Sequence, residues 1–202
     1  MNAQAQTGAT HSLASPDYLR LAALNLKELD ATWLRGERPD AAALAGWEFR
    51  GLNVGTKYHA LLPFQKFIKG FYATTHAIQP DSGRATGGVR GYNIPVRQDG
   101  PHAAWTAKPR DHDPKRFGFF GVNRVDPESR DNRHLRSLLL DYGAAPNPLL
   151  DVTKGLRDYV VRVHPGSDEL LIGKAWYALG LVRVPVGFFI LERHRATSFV
   201  GP

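Results

Sequence analysis

The stretch of residues 155–195 constrains the fold of this chain more than any other part of the sequence. It reads GLRDYVVRVHPGSDELLIGKAWYALGLVRVPVGFFILERHR, three runs rich in β-branched and aromatic residues with Pro-Gly-Ser-Asp and Leu-Gly steps between them. That pattern predicts three consecutive antiparallel strands. Because strands of this kind do not leave a sheet edge bare in a stable domain, the rest of the chain should complete a sheet or a barrel around them.

Turn and strand signals before this stretch extend the sheet. Asp99-Gly100 is a hairpin signal, and it predicts pairing of residues 93–97 with residues 102–106. The pattern contains neither a regular alternation of strands with helices nor a repeat of fixed period. The sequence therefore predicts a mainly β fold, a single antiparallel up-and-down barrel of about nine strands with an N-terminal helix.

The residues before the barrel are predicted to form a tail and a helical segment. Ser15-Pro16-Asp17 is typical of a helix start, because serine caps free N–H groups and proline suits the first turn. An amphipathic pattern continues this helix to about Leu29. We divide the chain into a disordered tail at residues 1–14, a helical segment packing on the barrel at residues 15–44, and the barrel domain at residues 45–196.

Composition excludes several kinds of site. The 202 residues include no cysteine, which excludes disulfides and thiolate chemistry, and the histidines show no metal-ligand spacing. No signal peptide or membrane-spanning run is predicted, so we expect a cytoplasmic location and no integral membrane segment. The formal charge of +7 favours an anionic partner, but its charges are scattered, and we expect no nucleic-acid partner. We predict no cofactor and no metal, and we leave the oligomeric state open.

Several short motifs resemble the lipocalin (calycin-like) pattern. They are a tryptophan at the start of the first strand, Trp47, an early helix, and an arginine at the end of the last strand. The C-terminal half is similar to a bacterial lipocalin-like family named for a Gly-x-Trp-x-Gly signature. The residues that carry this likeness are Asp141-Tyr142, Arg157-Asp158-Tyr159, Ile172-Gly173-Lys174 and the run from Phe188 to Arg193. The resemblance implies a barrel cavity for a small apolar ligand.

Closure of such a barrel predicts one specific contact. If the first and last strands pair antiparallel, the start of one lies beside the end of the other. We therefore expect the Arg193 guanidinium, or failing that Arg195, to stack on the Trp47 indole within about 6 Å of its centroid.

Strand alternation suggests which polar residues face inward. Tyr159, Val161 and Val163 form the more apolar face of their strand, so we expect that face to point into the barrel, opposite to the face of Asp158. The hairpin loop decides the register with the next strand. A turn of two or four residues places Tyr159 opposite Lys174, and a turn of three places Asp158 there.

These features support two main functional hypotheses. The first is binding of a small hydrophobic molecule, such as a lipid, a pigment or a polyketide-like compound, with an acidic group on the ligand as one option. The candidate ligand-binding residues are Trp47, Tyr92, Phe119, Tyr142, Tyr159, Lys174, Tyr177 and Phe189. The alternative is an isomerase, cyclase or decarboxylase that uses tyrosine, aspartate and lysine groups inside the barrel. No catalytic residue is assigned, and the candidates to test are Tyr92, Tyr159, Asp158 and Lys174. A partner-binding module is a third option.

Overall fold

In the computed structural model, residues 13–55, 64–74 and 88–202 are described, and they contain three short α-helices and ten β-strands. They also contain two 3-10 helices, Tyr142–Ala144 and Val152–Gly155. The α-helices are α1 (Pro16–Ala22), α2 (Leu26–Arg35) and α3 (Ala41–Leu44). The strands are β1 (Trp47–Val54), β2 (Lys66–Ala73), β3 (Val89–Pro95), β4 (Pro109–Arg110), β5 (Asp113–Pro114), β6 (Phe117–Arg124), β7 (Leu138–Asp141), β8 (Leu156–His164), β9 (Ser167–Leu179) and β10 (Val182–Ala196). Most of the predicted tail at residues 1–14 lies outside the described residues.

Eight of these strands close into a barrel in the order β1-β10-β9-β8-β7-β6-β3-β2. All the neighbouring pairs are antiparallel. The remaining two, β4 and β5, form a separate two-stranded ribbon within the connection from β3 to β6. The predicted class, a mainly β antiparallel up-and-down barrel with an N-terminal helix, is confirmed, with eight barrel strands instead of about nine.

The closure contact is also confirmed. β1 pairs with β10, and Phe49 lies opposite Arg193 in that register. The Arg193 guanidinium carbon lies 4.6 Å from the centroid of the Trp47 ring. Arg193 also donates to the Ala43 carbonyl in α3, and the fully buried Leu44 of the same helix belongs to the barrel core. α3 and this stacked pair therefore lie together at one end of the barrel.

The N-terminal helix does not run unbroken to Leu29, as predicted, but is split in two. The Asn25 side chain accepts hydrogen bonds from the backbone N–H groups of Lys27 and Glu28, and the Glu28 carboxylate accepts one from the Asn25 N–H at 2.9 Å. This reciprocal arrangement is a capping box, which begins a new helix. The capping box therefore separates α1 from α2.

The predicted Asp99-Gly100 hairpin is wrong in its register. Gly100 does have a positive φ of 87°, but the bridge joins Val96 to Ala107, and no strand forms at residues 102–106. Contacts between this loop and distant residues hold it in place. Asp99 pairs with Lys66 at 2.6 Å, and the Trp105 indole donates to the Gly51 carbonyl from a fully buried position. Tertiary contacts therefore override the local turn signal.

Two apolar cores lie on either side of the barrel wall. The inner core fills the barrel and includes Phe49, Phe71, Phe120, Leu140 and Leu171. The outer core lies between the wall and α1, α2 and the C-terminal segment, and its members include Tyr18, Trp33, Trp105, Tyr159 and Ile172. Strands with apolar residues on both faces are typical of sheets that are covered on both sides.

This second core corrects the predicted orientation of β8. Tyr159 and Val161 belong to the outer core, whereas Val160 belongs to the inner core, and Asp158 shares its face. The Trp33 indole of α2 covers Tyr159 and donates to its carbonyl at 3.1 Å. The more apolar face of β8 thus points outward, because a helix buries it there.

His134 is enclosed within the outer layer. Its ring lies 4.3 Å from that of Trp33 and 4.8 Å from that of Tyr159, both in edge-to-face geometry. Burial lowers the pKa of His134 from 6.5 to about 4, and nearby Lys174 and Arg133 add to the effect, while Asp30 opposes it.

We predict that this histidine makes folding stability fall with acid. Between pH 6.5 and about 4 the unfolded chain binds a proton at His134 that the folded chain does not, so its contribution is complete above pH 6.5 and is lost towards pH 4. An NMR titration should place the midpoint of His134 near 4. In His134→Phe the loss of stability over this interval should be smaller, and a matched change at exposed His112 controls for removal of a histidine. A midpoint near 6.5 would contradict the burial of His134.

Candidate functional site

A cavity of about 410 Å³ occupies the barrel end opposite the Trp47–Arg193 stack. Its apolar walls come from Phe64, Phe117, Leu156, Ala175, Val186 and Phe189. Its polar side chains are Asn53, Asn93, Tyr142, Thr153, Asp158 and Tyr177. A volume of this size, apolar walls and a few polar groups are the usual features of a small-molecule site.

Side-chain size along the strands explains why the barrel is hollow at this end. Phe71 and Phe120 pack their rings 5.7 Å apart towards the closed end. Towards the open end the inward positions of β9 are Gly173 and Ala175, and the Phe189 ring of β10 lies over Gly173. Gly173 gives room to the Phe189 ring, and the small Ala175 side chain leaves volume that belongs to the cavity.

A buried polar network forms the base of the cavity. The Lys69 Nζ of β2 donates to the Tyr142 hydroxyl at 2.6 Å and lies 3.3 Å from the Asp158 carboxylate of β8. The Tyr142 hydroxyl donates in turn to Asp158 Oδ2 at 3.2 Å. Asn93 of β3 donates to the same hydroxyl, also at 3.2 Å. The network joins strands from across the barrel through one phenol.

Burial shifts the proton affinities of all three ionisable members. It lowers the pKa of Lys69, and the facing Asp158 charge opposes that shift. It raises the pKa of Asp158, which Lys69 opposes, and it raises the pKa of Tyr142 well above its usual value. Since one phenol contacts both the ammonium and the carboxylate, the three groups form one continuous hydrogen-bonded network.

Aromatic rings surround the ammonium of this network. Lys69 Nζ lies 4.6 Å from the centroid of Phe120 and 5.3 Å from that of Phe189. The lysine side chain is 2% exposed. Ring faces favour a cation, so these contacts offset part of the cost of burying it.

The eight ligand-binding residues predicted from the sequence lie in different parts of the molecule. Tyr142, Tyr177 and Phe189 line the cavity. Trp47 lies at the closed end, under Arg193. The structure brings Tyr142 and Phe189 near the buried lysine, and it places Tyr177 at the mouth, where its hydroxyl donates to the Val152 carbonyl at 2.8 Å.

The other four candidates lie on the outer face of the wall, away from the cavity. The Tyr92 hydroxyl donates to Glu48 at 2.8 Å, and Phe119 packs beside Tyr92 against the outer core. The Tyr159 hydroxyl donates to the Asp131 carbonyl at 3.1 Å. Lys174 lies opposite Tyr159, the register expected for an even-numbered turn, and it pairs with Asp30 of α2 at 2.6 Å.

Lys69 and Asn93 are the members of the buried polar network that sequence reasoning missed. Lys69 stands in the run Phe67-Ile68-Lys69-Gly70-Phe71, which is otherwise apolar or small. A lone charge within such a run is the signal that could have identified it, because a charge in the middle of a buried strand needs a partner. Its partner Asp158 comes from a distant strand.

A second cavity of about 710 Å³ lies at the other end of the barrel. Its polar groups include Arg38, Arg124 and Asp40, which are exposed, and Arg162, which pairs with Asp168 at 3.0 Å. These groups form no buried network comparable to that around Lys69. We therefore assign the candidate site to the first cavity.

Comparison of the chain with protein-family models, with curated proteins and with solved structures finds no match. Within residues 13–55, 64–74 and 88–202, no three His, Cys, Asp or Glu side chains come together as metal ligands. No helix in that same part of the chain is long and apolar enough to cross a membrane. The resemblance to lipocalins stays a prediction from the sequence motifs.

We predict that breaking the buried ion pair from one side is costly. Asp158→Asn leaves the Lys69 ammonium buried without its counter-charge and should lower the free energy of unfolding by about 3–5 kcal/mol. Adding Lys69→Met should recover part of this loss, because the double variant buries no charge at all. Urea unfolding of the two single variants and the double variant measures the coupling.

Asp30→Asn is the matched control, because Asp30 pairs with Lys174 on the outer wall and is 43% exposed. It should cost no more than about 1 kcal/mol. Additive effects of Asp158→Asn and Lys69→Met would contradict the ion pair.

Proposed function

We propose that the barrel binds a small, largely apolar molecule in its open-end cavity, with the polar end of the molecule directed at Asp158. The observation that carries this proposal is the combination of apolar walls with a buried Lys69–Tyr142–Asp158 network at the base. Such a pocket desolvates an apolar body and orients it through a few polar contacts.

The size of the cavity limits the part of the ligand that is enclosed. At about 30 Å³ for each non-hydrogen atom, which is the share of a water molecule in the liquid, 410 Å³ holds on the order of a dozen atoms. A short lipid, a small pigment or a polyketide-like fragment has this size, and these remain the ligand classes that we propose.

Exposed aliphatic side chains next to the mouth also support an apolar ligand. Leu149, Leu150 and Val152 are 87%, 92% and 75% exposed. On the far side of Tyr177, the hairpin of β9 and β10 extends the inner face of the barrel with Leu179 and Val184, which are also exposed. Exposed apolar patches of this kind mark sites where apolar groups bind.

We further propose that the chain is a lipocalin-like protein. The closed antiparallel barrel, the Trp47–Arg193 stack at one end and a cavity at the other support this assignment. The cytoplasmic location stays a prediction from the sequence.

A second candidate function is acid–base catalysis in the same cavity, by an isomerase, cyclase or decarboxylase. The contact of Tyr142 with both Lys69 and Asp158 favours it, because proton transfer in catalysis needs ionisable groups within hydrogen-bond reach of one another and shifted by burial. The residues of this candidate differ from those expected from the sequence: Lys69 and Tyr142 replace Lys174, Tyr92 and Tyr159, and Asp158 is retained.

For ligand binding we predict that Ala175→Leu reduces occupancy severalfold, because the larger side chain fills part of the cavity. Native mass spectrometry and solvent extraction of the purified protein measure any co-purified molecule, and titration with 1-nonanol gives the same comparison if the protein is purified empty. Ala178→Leu, on the opposite face of the same strand, is the matched control and should bind as the parent does. Equal occupancy in the two variants would contradict binding in this cavity.

For catalysis we predict that the Tyr142 hydroxyl is required. A small-molecule extract of the expression host, incubated with the parent protein, should contain a compound whose mass or retention changes. In Tyr142→Phe the rate should fall by about 10²–10⁴-fold, the usual contribution of a positioned acid–base group. Tyr177→Phe loses only a hydroxyl bonded to a backbone carbonyl and should retain turnover. Conversion at the parental rate by Tyr142→Phe would exclude this candidate.

A further inference from the structure

The hydroxyl donors of the cavity are all committed to partners within the protein. Tyr142 donates to Asp158, Tyr177 donates to the Val152 carbonyl, and Thr153 donates to Asp151 at 2.7 Å. A hydroxyl has one proton to donate. None of these three can donate to a ligand without giving up a bond already formed.

The two asparagine side chains that line the cavity have few hydrogen-bond donors left for a ligand. Asn93 uses both of its N–H groups, one to the Gly118 carbonyl at 2.9 Å and one to the Tyr142 hydroxyl at 3.2 Å. Asn53 uses one, to the Phe64 carbonyl at 2.7 Å near the mouth. One N–H of Asn53 is therefore the only side-chain amide donor left among the residues that line the cavity in the described part of the chain.

The buried ammonium does not reach the cavity surface. Lys69 is absent from the lining, and its Nζ is enclosed by Tyr142, Asp158 and the Phe120 ring. A ligand at the base meets the phenol and the carboxylate before it meets the cation.

The carboxylate, by contrast, has unused capacity to accept. Lys69 and Tyr142 both bind Oδ2 of Asp158, and none of the hydrogen bonds found among the described residues ends on Oδ1. Ionised carboxylates accept at about four lone-pair sites and donate at none. The base of the cavity is therefore rich in acceptors and poor in donors.

We propose that the polar end of the ligand is a hydrogen-bond donor, an amine or a hydroxyl, and that a carboxylate is selected against. This inference rests on the proposed binding function and narrows its ligand class. A ligand amine or hydroxyl can donate to Asp158 Oδ1 without disturbing the network. A ligand carboxylate would face the charge of Asp158 within an apolar enclosure, where like charges repel more strongly than in water. The acidic group considered from the sequence alone is thereby disfavoured.

Three probes with one chain length test this selectivity: nonylamine, 1-nonanol and nonanoate. Isothermal titration calorimetry at pH 7 on the full chain should find binding of the amine and the alcohol, with nonanoate weaker than either by about tenfold or more. Nonanoate binding as tight as that of nonylamine would overturn the inference and leave the binding function intact. Absence of binding by all three probes would instead overturn the binding function itself.

Variants then locate the selectivity at Asp158. Asp158→Asn should reduce the preference for nonylamine over nonanoate by about tenfold, because it removes the charge that attracts the amine and repels the carboxylate. The double variant Lys69→Met/Asp158→Asn, which buries no charge, repeats the measurement if the single variant is poorly folded. Asp30→Asn, an aspartate paired with a lysine outside the barrel, should keep the parental preference. An unchanged preference in both Asp158 variants would overturn the assignment.

Discussion

The structure of the candidate site depends on one buried ion pair, that of Lys69 with Asp158. Taking both charges out of water costs several kcal/mol for each ion, and only their mutual contact and further hydrogen bonds can offset that cost. Tyr142 supplies those bonds, and Asn93 holds Tyr142 in place. Since an apolar pair of similar volume is often at least as stable, the pair is poor evidence for a role in stability alone. It lies at the base of the candidate cavity.

A second constraint is that the barrel wall is buried on both faces. Helices α1 and α2 and the C-terminal segment cover the outer face with residues such as Tyr18, Trp33 and Phe199, so wall strands carry apolar side chains inside and outside. Polar groups on the outer face consequently find partners there as well. Lys174 pairs with Asp30, and the Tyr92 hydroxyl bonds Glu48. These outer pairs contain the same types of polar group as the inner network, but they do not line the cavity.

This double burial explains which features could be predicted from the sequence. The dense C-terminal strands predict the barrel, and the Trp47–Arg193 contact follows from closure, so both were correct. Alternation alone cannot tell an inner face from an outer face when both are apolar, and it pointed Tyr159 inward. It could not identify the partner of Lys69 either, because Asp158 is 89 residues away in sequence and only the closed sheet brings the two together.

The comparison of the two lysine–aspartate pairs shows how the same residue types acquire different roles. Lys174 and Asp30 meet at 2.6 Å with the aspartate 43% exposed, so water screens both charges and the pair needs no further partner. Lys69 and Asp158 meet inside the barrel, where their side chains are 2% and 6% exposed and each hydrogen bond is electrostatically stronger. In that setting the order of the groups, carboxylate first and ammonium behind it, determines which group the cavity surface presents. The polarity of the site follows from this order, although the pair as a whole carries no net charge.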